Sequence, residues 1–426
     1  MKAKILTLGC TVNYSDSIKY SEVFANHGIG LTSSIEEADF CLVNTCTVTL
    51  KANRKSRYLV RKIRKTNPDL KLIVSGCYPS VNPTEVAEKV PGDIFLNKAA
   101  AFTELDDYLK NLKLGCIRER PPDVNPLSGR TRMFIKIQDG CDNFCTFCII
   151  PQARGRESSR SISSICEEVR KYTARGYQEF CFSGVCLGRY GKKDYEDNTL
   201  LIRLLEKFAE IPGVTRIRFG SIDANDMDVQ LFRFLADFPK FCRHFHIPLQ
   251  SGSDKILMKM RRSYNSKEFI QKIDQLKNYL PDASLATDLI VGFPGEEEED
   301  FQNTINCIKR CNFFRLHVFP YSKRPKTVAY KFKEVVPDQV KALRCQIMQD
   351  LDSQLQEAFY KKHLGKKLRV LLEDLEGDEA TGHTDDYCPV RLKVSPGMEA
   401  EKIVNKIFHI SFDRVKGLEL FGRLSL

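Results

Sequence analysis

Cys141, Cys145 and Cys148 form a C-x3-C-x2-C triplet directly after the apolar run Met133–Ile137. Cysteine thiolates hold iron–sulfur clusters, and a cubane takes one ligand per iron. A tight loop can place three thiolates around one cubane, and no fourth cysteine follows in this loop. The remaining iron would stay open to bind a cofactor, much as a catalytic zinc keeps one position open for water. A zinc site would show the same spacing, and sixteen cysteines make chance spacings easy, so the flanking residues must decide.

A second set of three comes from residues far apart in the chain. Ile5–Leu8, Phe40–Val43 and Leu72–Val74 read as buried strands of a parallel sheet. Each runs into a cysteine at its C-terminal end: Cys10 after Leu8-Gly9, Cys46 after Asn44-Thr45, Cys77 after Ser75-Gly76. In open α/β sheets these strand ends converge on the rim where ligands bind. Three strands would thus deliver three thiolates to one place. The plainer alternative is that each cysteine is a small buried hydrophobe.

The elements that position these residues follow from the rest of the pattern. The 426 residues leave room for two to four domains. Residues 1–114 are expected to form the N-terminal α/β sheet. Residues 115–132, with Pro121, Pro122, Pro126 and Gly129, read as a linker. From 133 to 363, candidate strands at 134–137, 179–182, 216–219, 245–249, 286–291 and 316–319 alternate with helical stretches. The helical stretches include Ser163–Arg175, Leu200–Ala209, Val229–Ala236 and Lys267–Leu280. This alternation predicts a partial (β/α)6 barrel with chemistry on the loops after the strands. A long helix from Asp338 to about Leu364 leads to a small all-β barrel over 364–426, with strands at 367–373, 388–393 and 403–410. This tail reads as a separate module without a ligand set, Cys388 and His383 each standing alone. Glu296 to Asp300 read as the solvated first turn of a helix.

No 18-residue apolar run appears, and Met1–Leu8 lacks a signal-peptide h-region, so a cytoplasmic protein with no membrane partner is expected. In a reducing compartment, cysteines in this number point to metal or redox chemistry rather than disulfides. The formal charge of +11 favours a polyanionic partner. Residues 51–65 carry eight cations on a probable helix, with Arg54, Arg57 and Arg61 on one face and Leu59 and Ile63 on an apolar side. Such a face is either simply solvated or a phosphate contact.

The segments TLGCTVNYSDS (7–17), NTCTVT (44–49), SGCYP (75–79), KIQDGCDNFCTFCIIPQARGR (136–156), SGVCLGRYG (183–191), HIPLQSGSDKILMKMRRSY (246–264), TDLIVGFPGEEEEDF (287–301) and LHVFPYSKRP (316–325) occur in one order. Over essentially the whole chain they resemble the methylthiotransferase family of radical S-adenosylmethionine (SAM) enzymes. The tail, with LGKKLRVLLED and GHTDDYCPVRL, is similar to a TRAM RNA-binding module. The cysteine motifs resemble the branch that modifies N6-threonylcarbamoyladenosine 37 in tRNA. Thr11 and Tyr14-Ser15-Asp16 depart from that branch's usual pattern.

The resemblance implies a sulfur-group transferase with two [4Fe–4S] clusters and SAM. Cys141, Cys145 and Cys148 would hold the radical-generating cluster, and Cys10, Cys46 and Cys77 an auxiliary one that carries sulfur. The chemistry would be borne by the cofactors, with no catalytic side chain. Phe147, Ser183, Gly184, Ser221 and Gly292 are the implied SAM contacts. The implied partners are the tRNA anticodon stem-loop and an electron donor such as flavodoxin or ferredoxin, acting on a monomer. Two alternatives keep the chemistry and change the target to isopentenyladenosine 37 or a ribosomal-protein aspartate. A third is a non-catalytic RNA-binding protein with structural zinc.

Overall fold

The computed structural model describes residues 1–112, 131–192, 197–395 and 397–424. They group into two compact units, one of residues 1–112, 139–158 and 322–330, the other of the remaining described residues. Positions 115–130 of the expected linker lie outside the described residues, and Arg132 already opens a strand.

The first unit is built on a parallel sheet in the order Gly30–Leu31, Lys2–Thr7, Phe40–Thr45, Lys71–Gly76, Ile94–Phe95. Its two outer strands are only two residues long and carried too little apolar sequence to be expected. The inner strands Phe40–Thr45 and Lys71–Gly76 are almost continuously buried, because helices cover both faces. Tyr20, Phe24, Phe40 and Leu105 fill one face, and Val43, Val60, Ile63 and Tyr78 the other. Register matters most for the site: Thr7 pairs with Asn44, and Asn44 with Ser75. Three adjacent strands therefore end level, and their cysteines leave the sheet at neighbouring points on one rim.

The second unit contains the expected partial barrel. Strands Arg132–Lys136, Glu179–Ser183 and Arg216–Phe219 pair in parallel, as do His244–His246, Ser284–Val291 and Arg315–Pro320. Parallel bridges Ile217–Phe241 and Ser221–His246 join the two halves, so spatial order follows chain order. Helices at Ile162–Thr173, Thr199–Ala209, Val229–Ala236 and Ser266–Tyr279 fall where the periodicity predicts them. The helix Asp338–Lys361 leads to a closed five-stranded barrel. Two of its strands, Glu379–Thr384 and Glu419–Leu424, were not expected, and Ile403 ends a short helix instead of opening a strand.

The tail barrel lies in the same compact unit as the barrel strands and packs against them. Its 383–388 turn covers the N-terminal ends of the barrel strands. Arg216 donates to the carbonyls of His383 and Thr384 at 3.3 and 2.9 Å, and Arg218 to those of Asp385 and Thr384 at 2.7 and 2.6 Å. Tyr387 stacks on His244 and receives the guanidinium groups of Arg132 and Arg218 on its ring. Beneath this turn Glu179, 1% exposed, bonds Arg218 Nε at 2.7 Å and lies 2.8 Å from Arg216 Nε. Burial alone would raise its pKa, but Arg216, Arg218 and Arg132 more than offset that and hold it at about 2.

The tail also holds a group that the sequence reading missed. His363, Asp386 and Cys388 place candidate ligand atoms within 4.8 Å of one another, so Cys388 does not stand alone. His383 bonds Glu373 at 3.1 Å instead.

Breaking a buried ion pair on one side leaves uncompensated charge, so Glu179→Gln should destabilise the second unit by about 3–5 kcal/mol in chemical denaturation. Because the folded pKa of Glu179 is depressed, its contribution should be complete above the unfolded carboxylate range and fade as pH falls toward 2. Truncation after Lys362 should strip the carbonyls from Arg216 and Arg218 and cause a loss of soluble protein. A soluble truncated chain with an unchanged melting temperature would contradict this account.

Candidate metal centre

The three strand-end cysteines reach the rim through tight turns. Gly9 has φ +105°, and a Cβ there would lie 2.9 Å from Cys46 Cβ. Gly76 has φ +95°, and a Cβ there would lie 2.4 Å from the Thr45 carbonyl. Only glycine allows this backbone and this approach together. Cys10 immediately precedes the helix Thr11–Asn26, and Cys77 opens the short helix Cys77–Val81. Cys10 is exposed, Cys46 half-buried and Cys77 buried. Burial pushes the Cys46 thiol up to about 11 and raises Cys77 as well. In a metal-free protein these groups stay protonated, and metal binding would release their protons.

A buried polar lattice fixes the rim. Asn13 donates to the carbonyls of Leu8 and Thr45 at 2.7 and 3.1 Å, and Asn44 donates to Asn13 O at 2.8 Å. The Cys77 thiol points at Asn13 Oδ1, 3.8 Å away. Asp16, inside the segment that departs from the family pattern, pairs with Lys98 and, at 3.3 Å, with Arg154.

The triplet loop belongs to this same unit. Cys148 N–H donates to Cys145 O at 3.0 Å, and the thiols of Cys141 and Cys148 accept from the N–H groups of Asn143 and Ile150 at 3.4 Å. Phe144 takes the left-handed conformation at the loop's tip, with Arg156 over its ring at 4.9 Å. Ala329 N–H holds the loop through Thr146 O at 2.8 Å, and Gln152 bonds Lys326 O at 2.6 Å. After the loop, Ile149 and Ala153 pack directly on Cys77 and Val81.

Two buried arginines lie beside these cysteines, Arg154 facing the strand-end set and Arg324 members of both. Arg154, with no solvent exposure, bonds Asp139 at 2.9 Å and also donates to Asn13 Oδ1. Burial works against its charge, yet Cys77, Asp16, Asp139 and Cys10 hold its pKa well above the ordinary value. Arg324, 3% exposed, donates to Thr47 Oγ1 at 2.6 Å. Burial lowers its pKa against the opposing pull of Cys46, Glu85, Cys148 and Cys77. A cubane on three thiolates carries net negative charge, so buried cations beside both sets suit clusters there. Neither arginine was singled out from the sequence. Both lie inside motif segments, IIPQARGR and YSKRP, but only the folded chain shows what they face.

The implied SAM contacts are less uniform. Phe147 is half-buried in the triplet loop. In the second unit, Ser183 ends its strand fully buried and accepts from Ile137 N–H at 3.0 Å. Gly184 lies against Gln138 and Leu187, where a Cβ would come within 3.1 Å of Gln138 Oε1. Ser221 bridges to His246 at the barrel's middle. Gly292 has φ +71° and packs on the stem of Lys341, and its N–H donates to Glu296 at 2.9 Å. Glu296, expected in solvent, is buried and bonded to Arg344 at 2.6 Å.

The basic helix runs from Leu50 to Thr66. Arg57 bonds Tyr78 and Glu85, Arg61 reaches Lys89 O, and Arg64 pairs with Asp93. These side chains are engaged by the fold itself. Lys51, Arg54, Lys55, Lys62 and Lys65 remain exposed beside Tyr58, itself 67% exposed.

Comparison with known proteins agrees with this geometry. Residues 135–308 match the radical SAM superfamily, and residues 2–97 match the uncharacterized protein family UPF0004. The threonylcarbamoyladenosine tRNA methylthiotransferase MtaB of Aquifex aeolicus is 36% identical, covering 87% of this chain and 93% of its own. The tRNA-2-methylthio-N(6)-dimethylallyladenosine synthase of Fervidobacterium nodosum is also 36% identical, covering 88% of each chain. The radical SAM methyltransferase TsrM of Kitasatospora setae shares the fold, with a TM-score of 0.56 at 12% identity over 77% of this chain and 73% of its own. The chain thus belongs to the tRNA methylthiotransferase family of radical SAM enzymes. No helix among the described residues is long and apolar enough to cross a membrane.

If each set holds its own cluster, Cys141→Ala/Cys145→Ala/Cys148→Ala should keep about half the iron of reconstituted wild type. Complete loss of iron from a folded triple variant would show that the strand-end cysteines hold no independent cluster. Gly9→Ala should lose iron only from the strand-end set, visible as the same halving.

Proposed function

We propose that this chain inserts a methylthio group at C2 of N6-threonylcarbamoyladenosine 37 in tRNA. The observation that carries this reading is the grouping of two three-cysteine sets in one compact body, with buried Arg154 beside the strand-end set and buried Arg324 facing cysteines of both. A zinc-binding RNA module needs neither two sets nor a radical SAM barrel in the same chain.

Cys141, Cys145 and Cys148 would hold one [4Fe–4S] cluster, with the open iron taking SAM. Cys10, Cys46 and Cys77 would hold the auxiliary cluster. When bound, these groups supply the one-electron radical chemistry and the sulfur carriage of the reaction. The protein supplies the rest. Gly9 and Gly76 let the rim close so that the thiols converge. Arg154 and Arg324, both buried, would offset the thiolate charge. Phe147, Ser183, Gly184, Ser221 and Gly292 are the proposed SAM contacts, supported by their positions in motif segments at strand ends or beside the cysteines. The exposed cations of the Leu50–Thr66 helix, and the tail barrel, would contact the phosphates of the anticodon stem-loop. A flavodoxin- or ferredoxin-type protein would supply electrons.

Relatives named for dimethylallyladenosine are as similar as those named for threonylcarbamoyladenosine, which keeps the former as the second reading. Nucleoside mass spectrometry of tRNA from a deletion strain decides between them: only the 2-methylthio derivative of threonylcarbamoyladenosine should disappear. Cys46→Ala should still release deoxyadenosine from SAM with reductant while forming no methylthio product. Normal product from this variant would remove Cys46 from the mechanism.

A further inference from the structure

Just past the helix Asp338–Lys361, His363 meets the turn that joins strands Glu379–Thr384 and Pro389–Val394. That turn carries Asp386 and Cys388, and one donor atom from each of the three residues lies within 4.8 Å of the other two. Burial is deep: Cys388 has no exposure and His363 is 8% exposed. A buried polar group normally has a hydrogen-bond partner, and one without calls for an explanation such as a bound ion. Both ring nitrogens of His363 lack a partner among the described residues. Nε2 nevertheless lies 2.7 Å from Asp386 Oδ2. So short an approach without a hydrogen bond places the carboxylate oxygen off the line of the ring nitrogen, beside that line and not along it. The carboxylate is itself held. The Thr384 hydroxyl donates to Asp386 Oδ1, and Cys388 N–H donates to the Thr384 hydroxyl at 2.9 Å. Oδ2 is the oxygen left for the ring and the thiol.

We propose that His363, Asp386 and Cys388 bind a zinc ion through imidazole Nε2, carboxylate Oδ2 and thiolate Sγ. Imidazole, carboxylate and thiolate are the three side-chain donors of zinc, at about 2.0–2.3 Å, and three of them leave the fourth tetrahedral position to water. Donors around such an ion stand about 3.3–3.5 Å apart, so the group has to draw together by little more than an ångström. Charge favours the ion. The carboxylate and thiolate together carry two negative charges, which a divalent cation cancels, so no net charge is buried. Binding releases the thiol proton of Cys388 to solvent. The donors come from two separate segments. Zinc would therefore cross-link the end of the long helix to the turn whose carbonyls bond Arg216 and Arg218, clamping the tail barrel where it covers the barrel strands. The competing arrangement is a metal-free network in which the His363 ring and the Cys388 thiol both lean on Asp386. The site shares no residue with the two three-cysteine sets of the first unit.

The test uses full-length protein reconstituted with iron and sulfide, so that the other cysteine sets are filled. It is dialysed against a zinc buffer, and zinc and iron are measured in the same sample by mass spectrometry. Wild type should hold about one zinc per chain. His363→Gln and Cys388→Ser should each lose about nine-tenths of that zinc or more, with iron content unchanged. Thr384→Val removes the hydroxyl that orients Asp386 but none of the ligands, and should weaken zinc binding about 10–100-fold. X-ray absorption at the zinc edge should show one sulfur at about 2.3 Å among nitrogen and oxygen neighbours at about 2.0–2.2 Å. That spectrum is taken on wild type, so it decides the matter where a variant does not fold. A wild type that holds no zinc overturns the proposal in favour of the metal-free network. So does a zinc shell with two or more sulfurs, or zinc retained in both ligand variants, since the ion would then sit among the cluster cysteines.

Discussion

A guanidinium without water around it persists only where acceptors and negative charge come to it, and Arg154 illustrates how much can follow from that requirement. It has no solvent exposure, and its charge is met by Asp16, Asp139 and the side-chain oxygen of Asn13. Asp16 and Asn13 belong to the first helix, Asp139 precedes the triplet loop, and Arg154 follows it. One side chain thus ties the loop carrying Cys141, Cys145 and Cys148 to the rim carrying Cys10, Cys46 and Cys77. Leaving one such charge unpaired would cost about 3–5 kcal/mol, which is enough to hold these segments in a single arrangement.

The second unit applies the same constraint with the signs reversed. Glu179 sits on the second barrel strand among Arg132, Arg216 and Arg218, and the excess positive charge is answered by backbone carbonyls of the 383–388 turn. The tail barrel therefore completes the floor of the radical SAM barrel. That role explains why a module with RNA-binding resemblance shares a compact unit with the catalytic strands. Its core of Val370, Leu372, Val390 and Leu420 extends to Phe314 and Tyr360 outside the tail, so apolar packing reinforces the ionic contact.

Arg324 differs from both because its charge is not fully answered by the protein. Thr47 holds one nitrogen, while Nε and Nη1 have no hydrogen-bond partner among the described residues. A buried cation kept short of acceptors is costly to a fold, and such groups concentrate where a ligand completes them.

The architecture was legible in the sequence because its signals are local. Buried strands appear as short apolar runs, barrel helices as 3.6-residue periodicity, and Val229–Ala236 matches its expected limits throughout. The cysteines were legible because each follows its strand at nearly the same distance and the triplet is contiguous. The two-residue edge strands were missed because they carry almost no pattern, and the tail strand 379–384 because its buried positions hold Ala380, Gly382 and Thr384 rather than large apolar residues. The basic helix was read as one cationic face, but salt bridges to Glu85 and Asp93 depend on partners some thirty residues away. By itself, then, the sequence determined the order of elements, the six thiol positions and the family. Tertiary structure alone decided which arginines are buried, that Asp16 and Glu179 answer them, and that the tail seals the barrel. Burial and charge pairing are properties of neighbours in space, and no periodicity along the chain records them.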